Sequence, residues 1–202
     1  MKKDVILNII GVIFIVLGFI SILRIFFPAA TWQNVFWWCD HAALIFGLAI
    51  LFRNSFWLTA ELNIALVPQV LWTMDFLSKL FFNKFVFGFT AYMFDGSWIF
   101  KLLSYQHLFM FILALIALFL LGYADKKAWI GSIIHGIFLF LAGLLIPAYF
   151  NINCVHKSCL GFEVSPYFLF WWISFLVVVF ITNLVLVKIT KLFKQKKHLR
   201  KR

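Results

Sequence analysis

Long apolar runs, separated by short polar breaks, fill most of this chain. A helix needs about 20 mostly apolar residues to cross the hydrocarbon core of a bilayer. Short polar turns interrupt the pattern, for example at residues 53–55 and 125–127. The predicted fold class is therefore an all-α, polytopic membrane helix bundle. It has six predicted spans, at about residues 5–27, 33–52, 56–80, 98–123, 128–150 and 167–187.

A Phe-rich stretch at residues 81–97 interrupts this pattern. Charged residues and glycines break its apolar residues, and it is too short to span. Irregular backbone at membrane depth needs protein or water around it, so we expect a re-entrant or interfacial segment. Residues 151–166 are polar and are predicted to form an outer loop. The chain then divides into one transmembrane domain, residues 1–187, and a basic tail, residues 188–202.

Composition supports the membrane class, and the distribution of basic residues shows which partner the net charge indicates. The chain is 65% hydrophobic and 12% charged, whereas soluble domains are about 45–50% apolar and about 25% charged. The formal net charge is +11, but eight of the 18 Lys and Arg residues lie in the last fifteen positions. The basic charge therefore indicates a tail that lies on anionic lipid, not a nucleic-acid interface.

Basic residues also predict the orientation. Cytoplasmic loops carry an excess of Lys and Arg, and the tail is the largest basic group of this chain. Six spans return the chain to its starting side, so both termini are predicted to be cytoplasmic. Arg24, at the end of the first predicted span, snorkels to the other side. The short loops and this bias favour a multi-pass protein of a bacterial inner membrane, that is, the cell membrane.

Ionisable residues inside the predicted spans are the main candidates for function, because charge is costly within a bilayer. Asp40 and His41 lie in the second span, Asp75 in the third and His107 in the fourth. Counting from the span ends places all four at a similar depth in the outer leaflet. Asp95, on the broken segment, reaches the same level. The sequence therefore predicts one polar cluster there.

Neighbouring residues extend this cluster. Gln69, Trp72 and Asp75 recur at positions i, i+3 and i+6, so they share one face of the third span. Pro68, just before them, removes a backbone donor. Ser104 and His107 pair at i, i+3 on the fourth span.

Several kinds of chemistry fit the cluster. A carboxylate beside a histidine allows general acid–base catalysis, and Cys39 is a nucleophile if a base is near or simply a small buried residue. His41, His107 and Asp75 are possible metal ligands, but paired motifs such as HxxxH or HExxH do not occur. The structural alternative is a hydrogen-bond network that fixes helix packing. The sequence indicates no particular cofactor.

Other polar residues are expected to have structural roles. Glu61, near the inner end of the third span, is expected to pair with Arg53 across the turn. His135 is isolated among small residues and is expected to serve packing or hydrogen bonding. In the outer loop, the spacing of Cys154 and Cys159 favours a disulfide if that side is oxidising. Metal binding with the intervening histidine, and free thiols, are the alternatives.

Six short stretches together carry a resemblance. This array resembles an uncharacterised family of small bacterial multi-spanning membrane proteins, over about residues 32–160, and implies no activity. Where that family has Trp after N-I-N, this chain has Cys154, which is consistent with a disulfide particular to its lineage. The stretches are WWCDHAALIFGLAILFRN at 37–54, PQVLWTMDFL at 68–77, GFTAYMFD at 88–95, LSYQH at 103–107, LGYADKKA at 121–128 and NIN at 151–153.

A more distant resemblance is to six-helix intramembrane acyltransferase-like proteins, in which Cys39 and His107 would be the counterparts of a cysteine and a later histidine.

Three functions stay open. The first is a membrane-embedded enzyme acting on a lipid or lipid-linked substrate at the outer leaflet. The second is a small transporter or channel lined by residues 81–97, although the two halves show no internal repeat. The third is a non-catalytic assembly partner that docks through its tail.

Overall fold

The computed structural model describes residues 2–23, 26, 32–95 and 98–199, without the side chains of residues 99, 100 and 196–199. Arg24 and residues 200–202 therefore lie outside the described residues. Most of the described residues are helical, and none of them lies in a strand. Short 3₁₀ turns occur at Trp32–Phe36, Ala148–Phe150 and Ile152–Cys154. The helices are α1 (Lys2–Leu23), α2 (Trp38–Leu51), α3 (Ser55–Phe82), α4 (Tyr92–Asp95), α5 (Trp98–Ser104), α6 (His107–Leu121), α7 (Ala128–Leu145) and α8 (Tyr167–Leu199).

Five helical segments of the described chain are long and apolar enough to cross a membrane. These segments are α1, α3, residues 101–121, α7 and most of α8. The predicted class, an all-α protein with several helices able to span a membrane, is therefore confirmed by helix length and composition. The second predicted span is shorter than expected: the run at 33–52 divides into a 3₁₀ turn and α2, which has only 14 residues.

Several predicted boundaries differ from the structure. The predicted span at 98–123 is divided between α5 and α6, because the regular helix stops at Tyr105 and Gln106. Helix α8 continues from Tyr167 to Leu199, so the backbone of the predicted tail extends the last helix. Residues 83–91 form turns between α3 and α4.

Contacts of the inter-helix turns with α1 and α8 define two ends of the bundle. At one end, which we call the termini end, Arg53 bonds to Asn8 near the N-terminus, with 2.7 Å between Nη2 and Oδ1. The backbone N–H of Ala124 donates to the hydroxyl of Thr190 at 3.1 Å, which brings the turn after α6 to the same end. The opposite end, the loop end, holds the 3₁₀ turns and residues 83–95 and 146–166.

Small residues allow α1 and α2 to pack closely along their length. A methyl group built on Gly18 would lie 2.5 Å from the Leu44 side chain, and one on Gly47 would lie 2.8 Å from Ile15. Such close backbone approach is typical of membrane helix pairs, where packing rather than water exclusion drives association. The pairing fixes α2 despite its shortness and thereby sets the position of its first turn.

Candidate functional site

A hydrogen-bonded chain of side chains crosses the bundle between α2, α3 and α7. Glu61 of α3 is central to it: Nδ1 of His135 lies 2.8 Å from Glu61 Oε1, and Nε1 of Trp38 donates to Glu61 Oε2 at 3.0 Å. The Nε2 atoms of His135 and His41 are 3.0 Å apart. Nδ1 of His41 lies 3.2 Å from the carbonyl oxygen of Val35. We call Glu61, His135 and His41 the Glu–His–His chain.

Helix lengths explain why these residues meet. With a rise of 1.5 Å per residue, α2 is about 21 Å long and α3 about 42 Å. The two helices share the turn at residues 52–54. Counted from that turn, His41 lies about 15 Å along α2 and Glu61 about 9 Å along α3, so their side chains and that of His135 meet inside the bundle.

Burial is graded along the Glu–His–His chain. Glu61 is fully buried and His135 is 8% exposed, whereas His41 is half-buried. An ionisable group at zero exposure is tolerated when it is paired and hydrogen-bonded. Both oxygens of Glu61 have such partners. The more accessible end of the chain is thus His41.

The expected pair between Glu61 and Arg53 is wrong. The Arg53 guanidinium turns away from α3: Nη1 donates to the carbonyl oxygen of Ile50 at 2.7 Å, and Nε lies 3.9 Å from the carboxylate of Asp4. Arg53 therefore joins the α2–α3 turn to α1, and Glu61 pairs with His135 instead.

The outer loop holds the 3₁₀ turn and α2 in place above this chain. Asn153 Oδ1 accepts from the backbone N–H of Trp38 at 2.9 Å, and its Nδ2 donates to the Phe36 carbonyl at 2.8 Å. Its own carbonyl accepts from Nε1 of Trp171 at 3.1 Å. Next to it, Cys154 forms a disulfide with Cys159, the pairing that the sequence favoured. We call these contacts of Asn153 the Asn153 clamp.

An apolar cleft of about 310 Å³ adjoins the histidine pair at the loop end. Phe138 lines it, and its ring centroid lies 6.3 Å from that of His135. Phe36 also lines it and directly follows Val35, whose carbonyl contacts His41. The cleft therefore lies next to His135 and to the turn that contacts His41. Its lining residues are Trp32, Phe36, Phe138, Leu141, Ala142, Leu145 and Ile146.

Asp75, predicted to be catalytic, organises the loop after α3. Its Oδ1 accepts from the backbone N–H groups of Val86, Phe87 and Gly88 at 2.7–3.0 Å. Its Oδ2 accepts from the N–H and the hydroxyl of Thr90 at 2.9 and 2.8 Å. Gly88 has φ +85°, a left-handed conformation that glycine adopts without strain. Successive N–H groups around one anion form a nest, and we call this arrangement the Asp75 nest.

His107 lies in a third arrangement with other residues of the predicted cluster. Its Nδ1 is 2.9 Å from Oε1 of Gln69, and its ring is 4.7 Å from the ring of Trp72. Nε1 of Trp72 donates to the hydroxyl of Tyr92 at 3.1 Å. The shared face of Gln69 and Trp72 therefore points inward, as the helical spacing predicts.

The remaining predicted site residues are dispersed. Asp40 is buried in the first turn of α2, where the positive end of the helix dipole stabilises a carboxylate. Cys39 is half-buried and packs against the apolar core. Ser104 is buried at the end of α5, and Asp95 is exposed at the end of α4. The predicted residues thus fall into separate groups, with His41 in one and Asp75 and His107 in others.

A further polar set binds α3, α7 and α8 together near the termini end. Nδ2 of Asn63 donates to Oγ of Ser132 at 3.1 Å and to Oδ1 of Asn183 at 3.0 Å. The hydroxyl of Ser132 donates to the Ala60 carbonyl at 2.9 Å. Amide and hydroxyl groups of this kind are typical of helix packing in membranes.

Sequence reasoning placed Glu61 and His135 outside the candidate site. A signal was present, because Trp38 and His41 are three positions apart at the start of α2, as are Ser132 and His135 on α7. Such spacing puts polar side chains on one face. Within the described part of the chain, no group of three His, Cys, Asp or Glu residues is arranged to hold a metal ion. The arrangement is instead suited to moving protons.

Comparisons with protein-family models, with curated proteins and with solved structures find no match to this chain. The resemblances drawn from its motifs therefore stay predictions.

Proposed function

We propose that this protein is a membrane-embedded enzyme that performs acid–base chemistry on a lipid or lipid-linked substrate. The observation that carries the proposal is the apolar cleft beside the histidine pair. An acyl or polyprenyl chain fits a cleft with such a lining, and its polar end then meets His41. Ionisable residues within membrane bundles are functional candidates by default.

Each member of the Glu–His–His chain has a distinct role in this proposal. His41, at the accessible end, exchanges protons with the substrate as general acid and base. His135 connects it to Glu61, and the Glu61 carboxylate orients the His135 ring through Nδ1. Cys39, two residues before His41, stays the candidate for a covalent acyl carrier.

The proposed setting is the bacterial cell membrane. In it α2 counts as a sixth, short span, and both termini lie in the cytoplasm. Two observations support this orientation: most basic residues belong to the termini end, and the disulfide belongs to the loop end, as an oxidising exterior favours. The cleft then opens in the outer leaflet, and the basic tail lies on anionic lipid.

A comparison of lipid profiles tests the proposal. Cells expressing the wild-type chain are compared with cells expressing His41→Gln or His135→Gln, at equal amounts of folded protein, by mass spectrometry of total lipids. A species that the wild-type chain produces or consumes is expected to return to its level in cells without the protein. His198→Gln, in the basic tail, is the matched control and keeps the wild-type profile. Identical lipid profiles with and without the protein would refute the proposal.

The same variants separate the alternatives. Uptake or conductance in proteoliposomes, lost in His41→Gln, would favour a transporter or channel. Loss of the cellular phenotype on removal of residues 188–202, with both histidine variants active, would favour an assembly partner.

A further inference from the structure

The Glu–His–His chain lies between two groups that accept hydrogen bonds. At one end is the carbonyl oxygen of Val35, which has no hydrogen to donate. At the other end is Glu61, whose Oε2 is already occupied by the Trp38 indole N–H, a pure donor. Between these ends are three contacts, of 3.2, 3.0 and 2.8 Å. Each is short enough to be a hydrogen bond and needs one proton.

Counting protons shows that two neutral histidines are not enough. A neutral imidazole carries one N–H, so His41 and His135 together fill two of the three contacts. The unfilled contact would place two lone pairs face to face within 3.2 Å. A third proton fills it, wherever it resides: as the acid proton of Glu61, or as a second N–H on either histidine. In every one of these three arrangements Nδ1 of His41 carries a proton, donated to Val35.

Burial leads to the same count by an independent route. With two protons the Glu–His–His chain has a net charge of −1, centred on Glu61, which has zero exposure. With three protons the net charge is zero, either as a neutral acid or as an ion pair. A buried charge that is not compensated is strongly unfavourable. Charge and hydrogen bonding therefore both favour three protons.

We propose that Glu61, His135 and His41 form a proton relay that stores one proton and delivers it from Nδ1 of His41 to a group bound in the adjacent cleft. This inference rests on the proposed function for the identity of the acceptor, but the proton count itself does not.

When the third proton starts as the acid proton of Glu61, delivery shifts three protons. The N–H bond at Nδ1 of His41 breaks, and its proton passes to the bound group. Nε2 of His41 then takes the Nε2 proton of His135, and Nδ1 of His135 takes the acid proton of Glu61. Glu61 is then a carboxylate, stabilised by N–H groups of His135 and Trp38. Nδ1 of His41 now has a lone pair facing the Val35 carbonyl, so it readily takes a proton back.

Nuclear magnetic resonance counts these protons directly. The full chain, labelled with ¹⁵N-histidine, is reconstituted in liposomes at neutral pH, and the five histidines are assigned by single His→Gln variants. Infrared spectra report whether Glu61 carries an acid proton, as the band lost in Glu61→Gln. We expect the protons on His41, His135 and Glu61 to sum to three, with Nδ1 of His41 protonated. A sum of two, or an unprotonated Nδ1 on His41, would overturn the relay.

Glu61→Gln tests the direction of the chain. Because Trp38 only donates, the glutamine oxygen must face Trp38 and its NH₂ must face His135. His135 then carries its proton on Nε2 and His41 on Nδ1, without any ionisable carboxyl group. Finding those two tautomers supports the polarity, and finding the opposite pair contradicts it. Glu163→Gln, in the exposed outer loop, is the control. It removes the other glutamate of the protein and is expected to keep the wild-type histidine spectrum.

The two proposals fail in different ways. A sum of three protons on these residues, in a protein that leaves the lipid profile unchanged, would support the relay and refute the lipid chemistry. A sum of two, in a protein whose lipid product depends on His41, would refute the relay and retain the enzyme.

Discussion

Helix α3 carries two buried carboxylates, and they have opposite kinds of partners. Asp75 accepts five hydrogen bonds, four from backbone N–H groups and one from a hydroxyl. Glu61 accepts from one indole and faces a histidine. Asp75 has partners from one loop close in sequence, whereas Glu61 joins three helices.

The difference teaches how to separate a structural carboxylate from a reactive one. The donors around Asp75 do not titrate, and they fill the lone-pair sites of an ionised carboxylate. Its charge therefore holds residues 86–90 in their turns and has no proton to exchange. Glu61 Oε1 instead contacts the imidazole of His135, a side-chain type that can both donate and accept a proton. Burial alone did not distinguish the two, because both have zero exposure.

The largest expected effect is from Asp75→Asn. The amide replaces an accepting oxygen with NH₂, which faces N–H donors and leaves them unsatisfied, so we expect a loss of about 3–5 kcal/mol in the free energy of unfolding. Hydrogen exchange at Val86–Thr90 is expected to accelerate by more than about 100-fold. Asp125→Asn, in an exposed turn where the side chain accepts from Lys127, is the control and should change little. Unaltered exchange at 86–90 would show that the nest does not hold the loop.

The second effect is from Glu61, where two substitutions are expected to differ. Glu61→Ala leaves the Trp38 N–H and His135 without their partner and is expected to cost about 2–3 kcal/mol. Glu61→Gln keeps both hydrogen bonds and is expected to cost less than about 1 kcal/mol. Both are expected to lower turnover of the lipid substrate by about 100-fold or more, because neither exchanges a proton. Unfolding in mixed micelles and the lipid assay measure the two quantities. Equal stability losses in both variants would contradict this reading of Glu61.

How far the sequence predicts this molecule depends on the range of the interaction. Apolar runs are local, so the helices and the membrane class could be predicted from them. The disulfide at Cys154 and Cys159 was also predicted from close spacing. The Glu–His–His chain joins His41 to a residue 94 positions away, and no local pattern encodes that contact.

Depth was the weakest part of the prediction. Counting from span ends assumed that every span crosses the whole bilayer. The start of α2 lies inside the bundle instead, because the residues before it form a 3₁₀ turn. His41 was therefore grouped with Asp75 and His107, and Glu61 was left at the interface.

A smaller effect is expected from the Asn153 clamp, which supports the Glu61 region alone. Asn153 has φ 52°, a conformation that alanine adopts at a cost of about 1 kcal/mol and glycine adopts freely. Asn153→Gly removes the clamp without that strain and is expected to cost about 1–2 kcal/mol, mostly from the unsatisfied Trp38 N–H. Asn153→Ala is expected to cost about 1 kcal/mol more. Both should raise hydrogen exchange in the first turn of α2 and leave Val86–Thr90 unaltered; accelerated exchange in the Asp75 nest would show that the regions are not separate.

The smallest expected effect is the coupling between the two carboxylates. Glu61 and Asp75 are 14 positions apart on α3, about 21 Å at 1.5 Å per residue, and no partner described above is common to both. Substitutions at sites this far apart usually add within about 0.5 kcal/mol. The free energy of unfolding of the variant with both Glu61→Ala and Asp75→Asn is therefore expected to equal the sum of the single losses within that margin. A coupling above about 1 kcal/mol would mean that the Asp75 nest and the Glu–His–His chain share one cooperative unit. In that case Asp75 would act on the proton relay through α3, and the distinction between a structural and a reactive carboxylate would not hold.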